Sequence, residues 1–354
     1  MERFTALGGP AVEARIASDL DVCIRGIRDA LRPLPIRGVV IGGGLGRGEG
    51  GIRREGGEEL PYNDYDLFVV VDAPSLLLSM VRPRVNRLAA ALTTSLNVEV
   101  EIGVLRPTDL AAAPPTLMMT DLRAGHRVLV GPPDLLSAMP AGRPLAPVEA
   151  SRLLLNRGAL LVMARQLVDG GPLGPQEWER VARYVRKSVL ARGDSWLMLR
   201  GRYLTGAQAC AERLAAEGPP DLADAYGRAV RERLGGIEAP GDPGESLRAE
   251  AEALVGAFGA AESARLGGSW PPFRTYGRTV LAAEGASPAR ERLRVARHAG
   301  PGALVGGRPW ARCAALLPWV LAGEATGIAP GCALGPARTQ GDAVRWLALW
   351  RASA

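Results

Sequence analysis

Val39-Val40-Ile41-Gly42-Gly43-Gly44-Leu45-Gly46-Arg47-Gly48-Glu49-Gly50 opens the stretch that decides the fold, and Asn63-Asp64-Tyr65-Asp66-Leu67-Phe68-Val69-Val70-Val71 closes it. The first half reads as an apolar strand over 38–42 running into a glycine turn. Residues 50–62 hold glycine, charge and Pro61 with little to bury, and read as a loop. The second half is a strand over 65–72, and the first strand, over 38–42, is wholly apolar, as expected of a strand covered on both faces. Side chains alternate across a strand, so Asp64 and Asp66 point to one side. Two carboxylates beside a glycine turn with free backbone N–H groups suit a divalent metal carrying a polyphosphate.

Working outward, apolar residues at Ile16, Leu20, Cys23, Ile27 and Leu31 step by three and four and predict a helix over 12–32, ended by Pro33 and Pro35. Val85, Leu88, Leu92 and Leu96 predict another helix, with Pro83 near its start. In the segment Asn97 to Leu105, Val98, Val100 and Ile102 alternate with Glu99 and Glu101, which gives a third strand with an acidic face. Arg127-Val128-Leu129-Val130 is a fourth strand, closed by Gly131-Pro132-Pro133.

From about residue 147 the pattern changes from strand to helix. Helices are expected over 148–168, 175–200, 205–216, 221–234 and 244–265, with Gly235 to Gly244 as a connection. Residues 266–310 carry no clear pattern. Asp342 to Ala352 reads as a short helix with Trp346 and Trp350 on one face, both as core residues. The fold class expected is α+β: a mixed-sheet domain over 1–142 followed by an all-helical domain over 143–354. The junction lies near Met139-Pro140-Ala141-Gly142-Arg143-Pro144.

The 354 residues carry a net charge of +6, almost entirely from arginine, since Lys187 is the one lysine. Arg, Ala and Gly enrichment of this kind is weak support for nucleic acid, which is possible as a partner but not favoured. Cys23, Cys210, Cys313 and Cys332 are scattered without C-x-x-C spacing, and His126 and His298 are the only histidines. Zinc and a Cys–His nucleophile are therefore not expected, and the cysteines read as reduced residues of a cytoplasmic protein. No signal-peptide core opens the chain. No apolar run approaches the ~20 residues of a spanning helix, so no membrane partner is expected.

Three chemistries compete for the glycine stretch. A dinucleotide-binding turn shares the G-x-G-x-x-G-like spacing, but it needs a helix where residues 46–62 are poor helix material. A Walker-type phosphate loop needs Gly-Lys-Ser/Thr, and the one lysine is far away. The third reading uses the glycine turn and the paired acids together.

On those residues the chain resembles the DNA polymerase β-like nucleotidyltransferase superfamily. Gly43-Gly44-Leu45-Gly46-Arg47-Gly48-Glu49 followed by Asp64-Tyr65-Asp66-Leu67 is similar to its Gly-Ser or Gly-Gly pair and the Asp-x-Asp of the next strand. The minimal members, antibiotic nucleotidyltransferases among them, place a helical domain after the catalytic one, which matches the order here. The resemblance implies two Mg²⁺ ions and ATP or another nucleoside triphosphate as co-substrate. It makes Asp64, Asp66 and a third acid the catalytic and metal-binding residues, and Gly43, Gly44 and Arg47 the phosphate contacts. Glu101, followed by the apolar run Ile102 to Leu105, is preferred to Glu99 as the third acid, although the family more often uses Asp there.

The nineteen residues between Gly44 and Asp64 exceed the family's usual spacing. This insertion is a candidate substrate loop or lid. Related enzymes often send a lysine from a following helix to the triphosphate, which singles out Lys187, with Asp194 two turns on along the same helix face. The activity implied is transfer of a nucleoside monophosphate, AMP foremost, to a hydroxyl of a small molecule or sugar in a cleft between the domains. The same chemistry on a protein or RNA acceptor, and a non-catalytic nucleotide-binding or interaction protein on this fold, are the alternatives.

Overall fold

The computed structural model describes residues 3–140, 142, 144–235 and 243–268, and then 279–280, 310, 313–314, 317, 320–321, 346–348 and 350–351. Cys332, His298 and most of residues 266–310 and of the C-terminal helix lie outside the described residues. The chain divides into two compact units. The first comprises Met1–Leu145 together with Leu204–Glu238, and the second Ala146–Tyr203 together with Ala239–Ala354. The fold is thus α+β: a small mixed sheet in the N-terminal region and a predominantly helical remainder. The proposed domain limits, 1–142 and 143–354, kept Leu204–Glu238 with the helical part, whereas here those residues count with the N-terminal unit.

In the first unit the sheet has the order β5-β4-β1-β6. The strands are β1 (Ile36–Ile41), β4 (Tyr65–Val71), β5 (Val100–Leu105) and β6 (Arg127–Val130). β4 runs antiparallel to β1 and parallel to β5, and β1 also pairs antiparallel with β6. One face carries Val39, Ile41, Leu67, Val69, Val71 and Val100, packed against Ile16, Leu20, Cys23 and Ile27 of α1 (Pro10–Leu31) and Val85 and Leu92 of α3 (Ser75–Leu96). The other face gathers Val40, Val70 and Phe68 under Leu110, Leu122, Leu136 and Met139. Central strands covered on both faces are why β1 and β4 read as continuous apolar runs.

Two differences from the sequence expectation follow from burial. α3 begins at Ser75 and holds Pro83 in its interior. Its first turns pack Leu78 and Val81 on the core, while Leu76, Leu77 and Met80 beside them are exposed and blur the stripe. Residues 50–62 are not a plain loop. They form a hairpin of β2 (Ile52–Glu55) and β3 (Glu58–Pro61), turned by Gly56 and Gly57, both at positive φ. A two-residue turn of that type matches the twist of the strands it joins. The hairpin is fastened: the Glu59 carboxylate accepts the Gly9 N–H at 2.6 Å, at the start of α1. That hydrogen bond is the main reason the Glu59 carboxyl titrates below its ordinary value.

The return segment Leu204–Glu238 supplies α8 (Ala207–Glu217) and α9 (Pro220–Gly235). In the second unit, α6 (Pro147–Asp169), α7 (Pro175–Met198) and α10 (Pro243–Leu266) pack on one another. A buried polar knot joins α7 to α10: Ser188 Oγ donates to Glu250 Oε1 at 2.6 Å, and Arg192 binds both Glu250 oxygens at 3.0 Å. Trp346 is buried and donates its indole N–H to the Cys313 carbonyl, while Trp350 is only half-buried.

Candidate active site

The glycine turn after β1 is built by close approach. Gly42 donates its N–H to the Asp66 carbonyl at 2.8 Å, which fastens the turn to β4. Gly43 has φ +60°, and the Asp66 carboxylate occupies the place a side chain there would need. Only glycine meets both demands without strain. A single helical turn, α2 (Gly43–Gly46), follows, and Glu49 N–H closes back on the Gly44 carbonyl at 2.8 Å. At the far end of the hairpin the Asn63 side-chain oxygen accepts the Gly51 N–H, which fixes the approach to Asp64.

Asp64 lies immediately before β4 and Asp66 is its second residue, both half-buried. The parallel register sets Asp66 opposite Glu101 and Tyr65 opposite Val100. Val98, Val100, Ile102 and Val104 pack with the α1 and α3 core, so Glu99 and Glu101 belong to the opposite face, the one that carries Asp66. Both glutamates are exposed. Asp66 and Glu101 are thus register partners on one face of adjacent strands. Among the described residues no three His, Cys, Asp or Glu side chains stand close enough together to hold a metal ion.

The donor chemistry nevertheless suits Mg²⁺. All three expected ligands are hard carboxylate oxygens, and that ion is commonly held by one or two carboxylates plus substrate phosphates.

Tyr65, between the two aspartates, faces the other way. Its hydroxyl donates to Asp19 of α1 at 2.8 Å, and burial, reinforced by that carboxylate, raises the phenol pKa. This buried bond holds the start of β4 against α1. Burial also pushes the nearby Cys23 thiol up to about 12, so it is inert as a nucleophile.

Arg47 lies on Gly125 and pairs with Glu49, Nε to Oε2 at 3.0 Å, with both side chains mostly buried. Glu49 in turn accepts the Ala207 N–H at the start of α8, at 3.3 Å. Arg47 therefore joins the glycine turn to the return segment, a tie absent from the expectation that gave it to phosphate alone. Lys187 and Asp194 lie in the second unit, on α7, half-buried and two turns apart. They flank the buried Ser188–Glu250–Arg192 knot.

The sequence reading passed over Arg233, in the last turn of α9. Its Nη2 lies 3.0 Å from where a Cβ on Gly44 would be, and its carbonyl oxygen packs directly on Gly51. No local pattern marks it among the other arginines of the chain. Its place follows from the return of Leu204–Glu238 to the first unit.

No family model matches the chain, and no curated protein matches it. Among solved structures it is similar to the spectinomycin adenyltransferase AAD(9) from Enterococcus faecialis, solved with ATP and spectinomycin. The TM-score is 0.42 with 14% identity, over 68% of this chain and 98% of that one, so the likeness is coarse. Among the described residues no helix is long and apolar enough to cross a membrane.

Proposed function

We propose that the chain is a nucleotidyltransferase that moves a nucleoside monophosphate, AMP foremost, from a nucleoside triphosphate to a hydroxyl of a small molecule or sugar. The observation that carries this reading is the seat of Asp66. Its carboxylate stands on the bare backbone of Gly43 and is in strand register with Glu101. A phosphate-binding turn and the carboxylates that serve it are thereby parts of one construction.

In this reading Asp64, Asp66 and Glu101 would hold Mg²⁺, which would supply positive charge against the triphosphate and the departing pyrophosphate. Gly43 and Gly44 are assigned to the phosphates, which their backbone N–H groups would bind. The acceptor oxygen bonds to the α-phosphorus, the bond to the β-phosphate oxygen breaks, and a site carboxylate takes the hydroxyl proton. Little covalent work falls to the protein; positioning and charge supply the rate. Lys187 is assigned to the triphosphate and Asp194 to a substrate or nucleotide contact. Arg47 is assigned to the phosphates through its place after the glycine turn.

The test is pyrophosphate release from ATP and Mg²⁺ in the presence of hydroxylated acceptors, aminoglycoside and aminocyclitol types included. The wild type is expected to release pyrophosphate with at least one acceptor and Asp66→Asn with none. Equal release by both would overturn the assignment of the acids.

A further inference from the structure

We infer that Arg233 is a phosphate-binding residue of this site, which grips the β- and γ-phosphates of the nucleoside triphosphate from the last turn of α9. This rests on the nucleotidyl-transfer reading and adds to it a cation that the glycine motif does not contain.

Three observations carry the inference. The first is place. Nη2 of Arg233 lies 3.0 Å from the position a Gly44 Cβ would take, so the guanidinium stands at the glycine turn, one residue beyond the Gly43 seat of Asp66. The second is fixation. The Arg233 carbonyl packs on Gly51, and Asn63, which binds the Gly51 N–H, stands 3.6 Å from the same Gly44 position. The backbone that bears the arginine is therefore held against the start of the hairpin, and Gly51 must lack a side chain for it to fit. The third is engagement. Arg47, the cation of the motif itself, is bound to Glu49. Among the described residues no hydrogen bond or ion pair engages the Arg233 guanidinium.

A half-buried guanidinium at a turn made of bare backbone has a fork of donors and a fixed charge. The complementary ligand is a bidentate oxyanion, and a polyphosphate is the one this site is built to admit. The division of charge is then consistent: the aspartates serve the cation side of a metal–nucleotide complex, and Arg233 serves its anionic tail.

The experiment compares the affinities of AMP, ADP and ATP, each with Mg²⁺, for the wild type, Arg233→Met and Arg233→Lys, with thermal melting of each as the control for folding. Charged hydrogen bonds of this kind correspond to about a tenfold to hundredfold loss of ATP affinity in Arg233→Met. AMP affinity should stay near that of the wild type, and Arg233→Lys should recover part of the ATP affinity. If Arg233→Met binds ATP as the wild type does, or loses AMP and ATP equally, the inference fails while the nucleotidyl-transfer reading stands. A lowered melting temperature with unchanged preference for ATP over AMP would make Arg233 only a cation at the end of a helix. If the wild type binds none of the three, the underlying reading fails and the inference with it.

Discussion

The Asp66 carboxylate occupies the space a side chain on Gly43 would fill, and with the Gly42 N–H bond to the Asp66 carbonyl this close approach joins the motif's two halves. Gly43→Ala must therefore adopt φ near +60° and displace Asp66 at once. The backbone conformation alone costs about 1–3 kcal/mol. Equilibrium urea denaturation should show a loss of at least that size, together with lost turnover; unchanged stability would contradict the geometry. Asp64→Asn and Asp66→Asn, in contrast, keep size and shape, so they should abolish transfer with the melting temperature preserved. Lys187→Ala should raise the nucleotide KM or lower kcat, and unaltered kinetics would return Lys187 to surface charge.

At the scale of elements, α7 and α10 depend on a buried ion pair. Burial raises the Glu250 pKa, and Arg192 and the Ser188 hydroxyl pull it back only in part. Arg192→Met would leave a buried carboxylate with only the hydroxyl, which costs about 3–5 kcal/mol at neutral pH. That loss should shrink as pH falls and Glu250 takes up a proton, so the variant and wild-type denaturation midpoints should converge toward acid; parallel profiles would exclude the pair as the source. The segment before α1 behaves in the opposite sense. Burial raises the Glu13 carboxyl, but hydrogen bonds from the Phe4 and Thr5 N–H groups and the Thr5 hydroxyl, with the Arg3 charge, outweigh it and hold it below the ordinary value. A folded pKa below the unfolded one gives stability that is present above about pH 4.3 and is lost as pH falls through the folded value. Glu13→Gln should thus lose less stability than the wild type between pH 5 and pH 3.

At the scale of the molecule, what could be read in the sequence was what is periodic and local. β1, β4, β5 and β6 showed as apolar runs or clean alternation, and α1 and the second half of α3 as stripes, because each buries a regular face, while α6 to α10 were expected close to their observed limits. The side of the sheet that Asp66 and Glu101 take was legible because side chains alternate along a strand. The hairpin over 52–61 was missed because it buries only Ile52 and Pro61, although Gly56-Gly57 marks a two-residue turn. α4 (Pro107–Ala111) and α5 (Leu117–Ala124) are too short for a period to emerge. Arg233 and the Glu49 contact with α8 depend on Leu204–Glu238 rejoining the first unit, and no local rule of sequence carries that information.

The account stands or falls on metal-dependent nucleotide binding by the paired acids. The most direct measurement is isothermal calorimetry of ATP, GTP, CTP and UTP, each with and without Mg²⁺, on the wild type and on the double variant Asp64→Asn/Asp66→Asn. Binding of at least one nucleotide that requires Mg²⁺ and disappears in the double variant is the result predicted. Binding to none of them, or binding that survives both substitutions, would contradict it.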